Sequence, residues 1–134
     1  MPSDYVLRDI GSLLGIERIV DRGASGKAVV HCRATMEMCH SGGVVQGGFV
    51  TGWIDAAMAY LVMAVTNNTK APLSLEIKVS FLKSAGPGLL VAEAWIERMG
   101  RSTCFLEGRL LNEAGEVLAK ASSTTKLLTL DGGT

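Results

Sequence analysis

The chain has 134 residues, enough for one hydrophobic core but not for a second of ordinary size. Hydrophobic residues make up 48% and charged residues 19%, which excludes a disordered chain and is light in charge for a monomer, so part of the apolar surplus is expected between subunits. Thirteen Lys and Arg balance thirteen Asp and Glu, and no basic run with interleaved aromatics is present, which argues against a nucleic-acid partner.

Met1 to Val6 has no basic stretch leading into an apolar run, so no secretory signal is expected and the cytoplasm is the default compartment. Cys32, Cys39 and Cys104 are odd in number and lack the spacing of a zinc knuckle or a redox CxxC, so free thiols in a reducing compartment are expected. A short helix is predicted at about 6–14, with Ile10, Leu13 and Leu14 inward, then strand pieces over 16–21 and 27–36 around a turn at 22–26.

His40 to Gly48 contains four glycines in nine residues, so its backbone needs conformations or close approaches that a Cβ would block. Phe49 to Val65 follows with one charge, Asp55, in seventeen residues. That length approaches a bilayer span, but Asp55 and Gly52 weigh against one. The expectation is a central helix over about 48–66, buried on nearly every side and ended by Thr66 to Thr69 and Pro72.

The second half reads as strands. Leu73, Leu75, Ile77, Val79 and Phe81 alternate with Ser74, Glu76, Lys78 and Ser80. A turn at 85–88, a strand over 89–98, a tight link at 99–101, a strand over 102–112, a hairpin turn at 112–115 and a last strand over 116–128 follow, with residues 129–134 expected to fray. Short links predict that consecutive strands are antiparallel neighbours. The prediction is therefore one α+β domain spanning 1–134, an antiparallel sheet of five to six strands around one long apolar helix.

Asp55 is the sharpest chemical feature. A carboxylate within an apolar helix needs partners, and free N–H groups of the first turns are one structural source of them. The glycine-rich helix entry at Gly47 and Gly48 also offers N–H donors for an oxygen that becomes negative during acyl transfer, with a carboxylate further along as base or nucleophile. The phosphate-binding loop pattern and the Gly-x-Ser-x-Gly elbow are both missing. His31–Cys32 and Cys39–His40 are adjacent pairs that diverge on a strand, so no metal site is expected.

His40-x-x-Gly43-x-x-Gln46-Gly47-Gly48, then Asp55, the strand Ser74 to Phe81 and the turns at Gly100-Arg101 and Gly115 together resemble hotdog-fold acyl-CoA thioesterases of the PaaI-like, phenylacetic-acid-degradation class. The similarity runs from about Gly11 to Leu128. The usual signature is Asn-x-x-Gly-x-x-His-Gly-Gly followed by an aspartate; here His40 stands at the Asn position and Gln46 at the His position.

The resemblance implies Asp55 as nucleophile or general base, the Gly47 N–H on the thioester carbonyl, His40 and Gln46 on the carbonyl side, and Ser74 placing the carboxylate or water. It also implies a homodimer, and beyond it a dimer of dimers, with the site shared between subunits. Coenzyme A belongs to the substrate, so no cofactor is expected. Lys83, Arg98 and Arg101 are candidates for its phosphates, and Gly48, Trp53 and Met58 for the acyl pocket. The alternatives are a non-catalytic acyl-CoA or acyl-ligand binder and a hydroxyacyl thioester dehydratase.

Overall fold

The computed structural model describes residues 10–130. The order is α1 (Ile10–Leu13), β1 (Ile16–Arg22), β2 (Lys27–Ala34), a two-residue pair β3 (Cys39–His40) and β4 (Val44–Val45), α2 (Gly47–Val65), β5 (Lys70–Phe81), β6 (Gly88–Met99), β7 (Thr103–Leu111) and β8 (Val117–Thr129). The six long strands form one antiparallel sheet in the order β1-β2-β6-β7-β8-β5, and α2 lies across its inner face. The α+β class and the single long helix agree with the sequence reading. Residues 6–9 of the expected first helix and 131–134 of the expected frayed tail lie outside the described residues. Thr129 ends β8, and the Leu130 N–H donates to the Thr69 carbonyl at 3.0 Å, so residues 129 and 130 are tied down.

One neighbour relation differs from expectation: β5 pairs with β8 from Lys70↔Thr129 to Phe81↔Ala119, not with β6. Residues 82–87 make no hairpin. The Leu82 and Lys83 N–H groups donate to the Leu118 carbonyl at 2.8 and 3.0 Å, and the Ala85 carbonyl accepts from Val45 N at 2.8 Å. Crossing β8 and β7 requires about three strand spacings, roughly 14 Å, and six residues reach about 20 Å. The link is thus long enough to carry the chain across the sheet end to β6, and β5 becomes an edge.

Pro72 sits on this outermost strand, where its missing N–H is tolerated, and does not end the helix. The helix ends at Thr66, after which Asn67 and Asn68 adopt positive φ (51° and 61°) and the Asn68 N–H caps the Met63 carbonyl at 2.8 Å.

The opposite edge, β1, is built differently. Its pairing with β2 is interrupted by register shifts between Ile16 and Arg18 and between Ile19 and Asp21, and Glu17, Arg18 and Arg22 are exposed along it. Bulges and charges of this kind discourage further strand pairing.

Along α2, Val50, Trp53, Ile54, Ala57, Met58, Leu61 and Val62 are buried, a stripe at intervals of three and four that faces the sheet. Thr51, Asp55, Ala56, Ala59 and Met63 are only half-buried. Burial on nearly every side was the expectation; an open sheet covers one side of a helix, so the protomer alone leaves the rest short of cover. The helix is long and apolar enough for a membrane span by composition, yet its buried stripe is already occupied by the sheet.

Gly108 sets how closely α2 approaches. A Cβ there would stand 2.6 Å from Ile54 Cγ2 and 2.9 Å from the Glu93 carbonyl oxygen. Gly108→Ala is therefore expected to destabilise by about 1–3 kcal/mol, read as a Tm lower by roughly 4–12 °C in a thermal melt. An unchanged Tm would show that the helix can move off the sheet at little cost. The three cysteines are free; burial pushes the Cys32 thiol up to about 12 and raises that of Cys104.

Candidate active site

The glycine-rich segment folds as a small hairpin leading into α2. Gly42 and Gly43 take positive φ (80° and 72°) to close it, and His40 pairs with Val44. The Gln46 N–H donates to the Met38 carbonyl at 2.9 Å, which fixes where the helix begins.

Gln46 is the N-cap of α2: its Oε1 accepts from the Gly48 N–H at 2.8 Å, and its carbonyl accepts from Phe49 N at 3.0 Å. The first-turn donor left for a ligand is the Gly47 N–H. Gly47 lines a pocket of about 370 Å³ together with His40, Val50, Phe81 and Lys83. The Phe81 ring closes over it, with Cζ 3.0 Å from where a Gly47 Cβ would be. Gly48 is exposed and does not line this pocket, its N–H being held by Gln46.

Asp55 lies two turns further along, on the half-buried side of the helix. Ser74 Oγ donates to Asp55 Oδ1 at 2.8 Å. Strict alternation would have put Ser74 on the outer face with Glu76, Lys78 and Ser80. A bulge decides otherwise: Ser74 pairs with Thr125 and Glu76 with Thr124, so Leu75 is an extra residue and the strand's parity resets between them. Ser74 thereby turns toward the helix while Ile77 and Val79 keep their inward places. Asp55, Ser74, Met58, Ala59, Leu106 and Thr125 line a second pocket of about 320 Å³.

The expected site residues therefore fall into two groups within one protomer. His40, Gly47 and Lys83 share one pocket, Asp55, Ser74 and Met58 the other. Gly47 and Asp55 are eight residues apart on one helix, about 12 Å along its axis. One carbonyl carbon cannot touch both.

Trp53 belongs to neither pocket. It is fully buried, donates from Nε1 to the Leu14 carbonyl at 2.6 Å, and packs near Phe49 with ring centroids 6.2 Å apart. Its position on the buried stripe keeps it out of the walls of both pockets in the single chain. Met58 is buried as well, 2% exposed, yet it forms part of the Asp55 pocket wall.

Lys83 forms an ion pair with Glu116, and that ammonium together with the Asn112 amide holds the Glu116 carboxyl below the usual carboxylate range. Arg98 and Arg101 lie at the β6–β7 turn, whereas Lys83 follows the end of β5 near the start of β6. The length of β6, roughly 35 Å, separates them, so one protomer does not gather all three cations.

Thr125 was not singled out from the sequence, although it lines the Asp55 pocket. The available signal was its place in the Ser122-Ser123-Thr124-Thr125 run of a strand whose neighbouring inward positions, Ala121 and Leu127, are apolar. Among the described residues, no group of three or more His, Cys, Asp or Glu side chains gathers.

A family model described as the thioesterase superfamily matches residues 42–119. A solved phenylacetic acid degradation-related protein from Ralstonia eutropha JMP134, assigned as a thioesterase, is 31% identical, with 92% of this chain and 93% of that one covered and a TM-score of 0.79. The PaaI protein of the Escherichia coli phenylacetic acid degradation operon shares the fold at 23% identity, covering 91% of this chain and 84% of that one, with a TM-score of 0.77. A protein of Saccharolobus solfataricus that carries an esterase name is 27% identical over 103 residues, 77% of this chain and 73% of that protein.

Proposed function

Because the chain belongs to the thioesterase superfamily, with the hotdog fold of its PaaI-like members, we propose that it hydrolyses an acyl-CoA thioester to the free acid and coenzyme A. The observation that carries the proposal is the Ser74–Asp55 hydrogen bond, which fixes a carboxylate at the mouth of a pocket on the uncovered side of the helix. The Gly47 N–H polarises the thioester carbonyl, and Asp55 delivers the attack. His40 stands beside the carbonyl in the same pocket as Gly47. Gln46 acts as the cap that leaves the Gly47 N–H free.

The two groups meet in a homodimer. If two α2 helices pack antiparallel, residue 47 faces residue 55 of the other copy when the two-fold passes the residue midway between them, Thr51. The half-buried helix face and the exposed Leu75 and Phe81 on edge strand β5, 60% and 55% exposed, supply apolar surface for such a contact. Antiparallel pairing of β5 edges also brings the partner's Arg98 and Arg101 to the end of the molecule where Lys83 lies. Two such dimers would form the proposed tetramer. Coenzyme A enters as substrate, so the proposal needs no separate cofactor, and a cytoplasmic location is part of the same proposal.

The experiment is a panel of aromatic and aliphatic acyl-CoAs assayed by release of free thiol. Turnover of at least one supports the hydrolase; tight binding of thioesters without turnover would make the protein a ligand carrier. Within that assay Lys83→Met is expected to raise KM for a CoA thioester about threefold and to flatten its dependence on salt, the modest size reflecting exposure and competition from Glu116. A KM and salt slope equal to wild type would remove Lys83 from phosphate binding.

A further inference from the structure

Among the described residues, Ser123 and Thr125 are the polar residues that the fold buries, at 4% and 1% exposure. They stand on the inner face of β8 between Ala121 and Leu127, where aliphatic side chains are the rule. Their hydroxyls bond to each other, Ser123 Oγ to Thr125 Oγ1 at 2.9 Å. That bond uses one of two protons. A hydroxyl carries one proton and two lone pairs, so whichever way the bond runs, one proton remains for a third group.

Thr125 is the member that lines the Asp55 pocket, and it is the cross-strand partner of Ser74. Ser74 has already given its proton to Asp55 Oδ1. With Ser123 as donor and Thr125 as acceptor, the spare proton is that of Thr125, and the pocket then combines a carboxylate acceptor, Oδ2 of Asp55, with a hydroxyl donor in its wall. A water molecule in the shared pocket of about 320 Å³ matches that pair chemically: its oxygen accepts from the hydroxyl and its hydrogen is donated to the carboxylate.

Resting on the hydrolase reading above, and within it on Asp55 as the base that activates water, we infer that Thr125, backed by Ser123, holds the attacking water. Asp55 takes a proton from the water as the water oxygen bonds to the carbonyl carbon. The carbon–sulfur bond then breaks, the thiolate leaves, and it recovers that proton from the Asp55 carboxyl. The oxygen gained by the acid comes from water, and Thr125 serves as a positioning residue.

The test joins Thr125→Val and Thr125→Ser kinetics with a single turnover of wild type, enzyme in excess, in 18O-water. The Val variant is expected to lose tenfold to a hundredfold in kcat, by about the worth of a hydrogen bond to the reacting water, with KM within about twofold. The Ser variant, which keeps the hydroxyl, is expected to recover most of the loss. The first turnover is expected to place 18O in the product acid and none in Asp55.

Label found in the Asp55 carboxylate, with unlabelled acid formed in the first turnover, overturns the inference. So does a Val variant with wild-type kcat, or a folded Ser variant as impaired as the Val one. If wild type releases no thiol from any thioester, the hydrolase reading falls and this one with it; an active wild type beside an unimpaired Val variant removes this inference alone.

Discussion

Asp55→Asn is expected to lower kcat on a CoA thioester by about a thousandfold or more while leaving the fold and the state of assembly unchanged. The amide keeps the shape of the carboxylate, and its oxygen still accepts the Ser74 hydroxyl proton, so the contact that positions the residue survives. What disappears is the capacity to take a proton or to attack. KM should change little, because the carboxylate acts on the reaction and not on the coenzyme. A melting curve and sizing column matching wild type establish that the loss is chemical. An Asn variant with turnover near wild type would remove Asp55 from the mechanism, whatever its place in the pocket.

The second large effect concerns which copy supplies which group. Gly47→Val should be inactive on its own, because its side chain meets the Phe81 ring and crowds the pocket over the Gly47 N–H. Mixing this inactive variant with the inactive Asp55→Asn variant, under conditions that let subunits exchange, is expected to restore about a quarter of wild-type activity. Half of the dimers formed at random are mixed, and each mixed dimer has one site with both defects and one with neither. No recovery after verified exchange would mean that Gly47 and Asp55 serve one site within one chain, against the separation of about 12 Å between them on the helix.

Much of the fold was legible because its signals are local. The four glycines before an apolar run mark the entry of α2. The alternation fixes the end of β5 at Phe81 and its start within three residues, and the Asn112 to Gly115 turn fixes β8 within one residue at either end. What was hidden depends on residues far apart in sequence. The placement of β5 beside β8 comes from a match of two long strands, which the short link to β6 does not report.

The geometry of the site was not legible from the residue pattern in three places. The resemblance implies Ser74 beside Asp55, but strand alternation alone puts it on the other face; it reaches Asp55 because a bulge at Leu75 reverses the strand's parity. Trp53 differs from Asp55 by two positions along the helix, which is enough to turn it onto the buried stripe. Gln46 shows its carboxamide to the helix end because Gly48 offers a nearby N–H. None of these follows from residue type alone.

The unequal edges of the sheet have a consequence for how many copies can join. A sheet with two receptive margins can recruit copy after copy into a fibre, each new chain offering the next a fresh border. Here one margin is kinked and charged at Glu17, Arg18 and Arg22, while the other is a regular twelve-residue strand over most of its length. In the proposed homodimer, growth by strand addition would therefore terminate once two chains had consumed their single usable borders, and the proposed dimer of dimers would have to be assembled through faces instead.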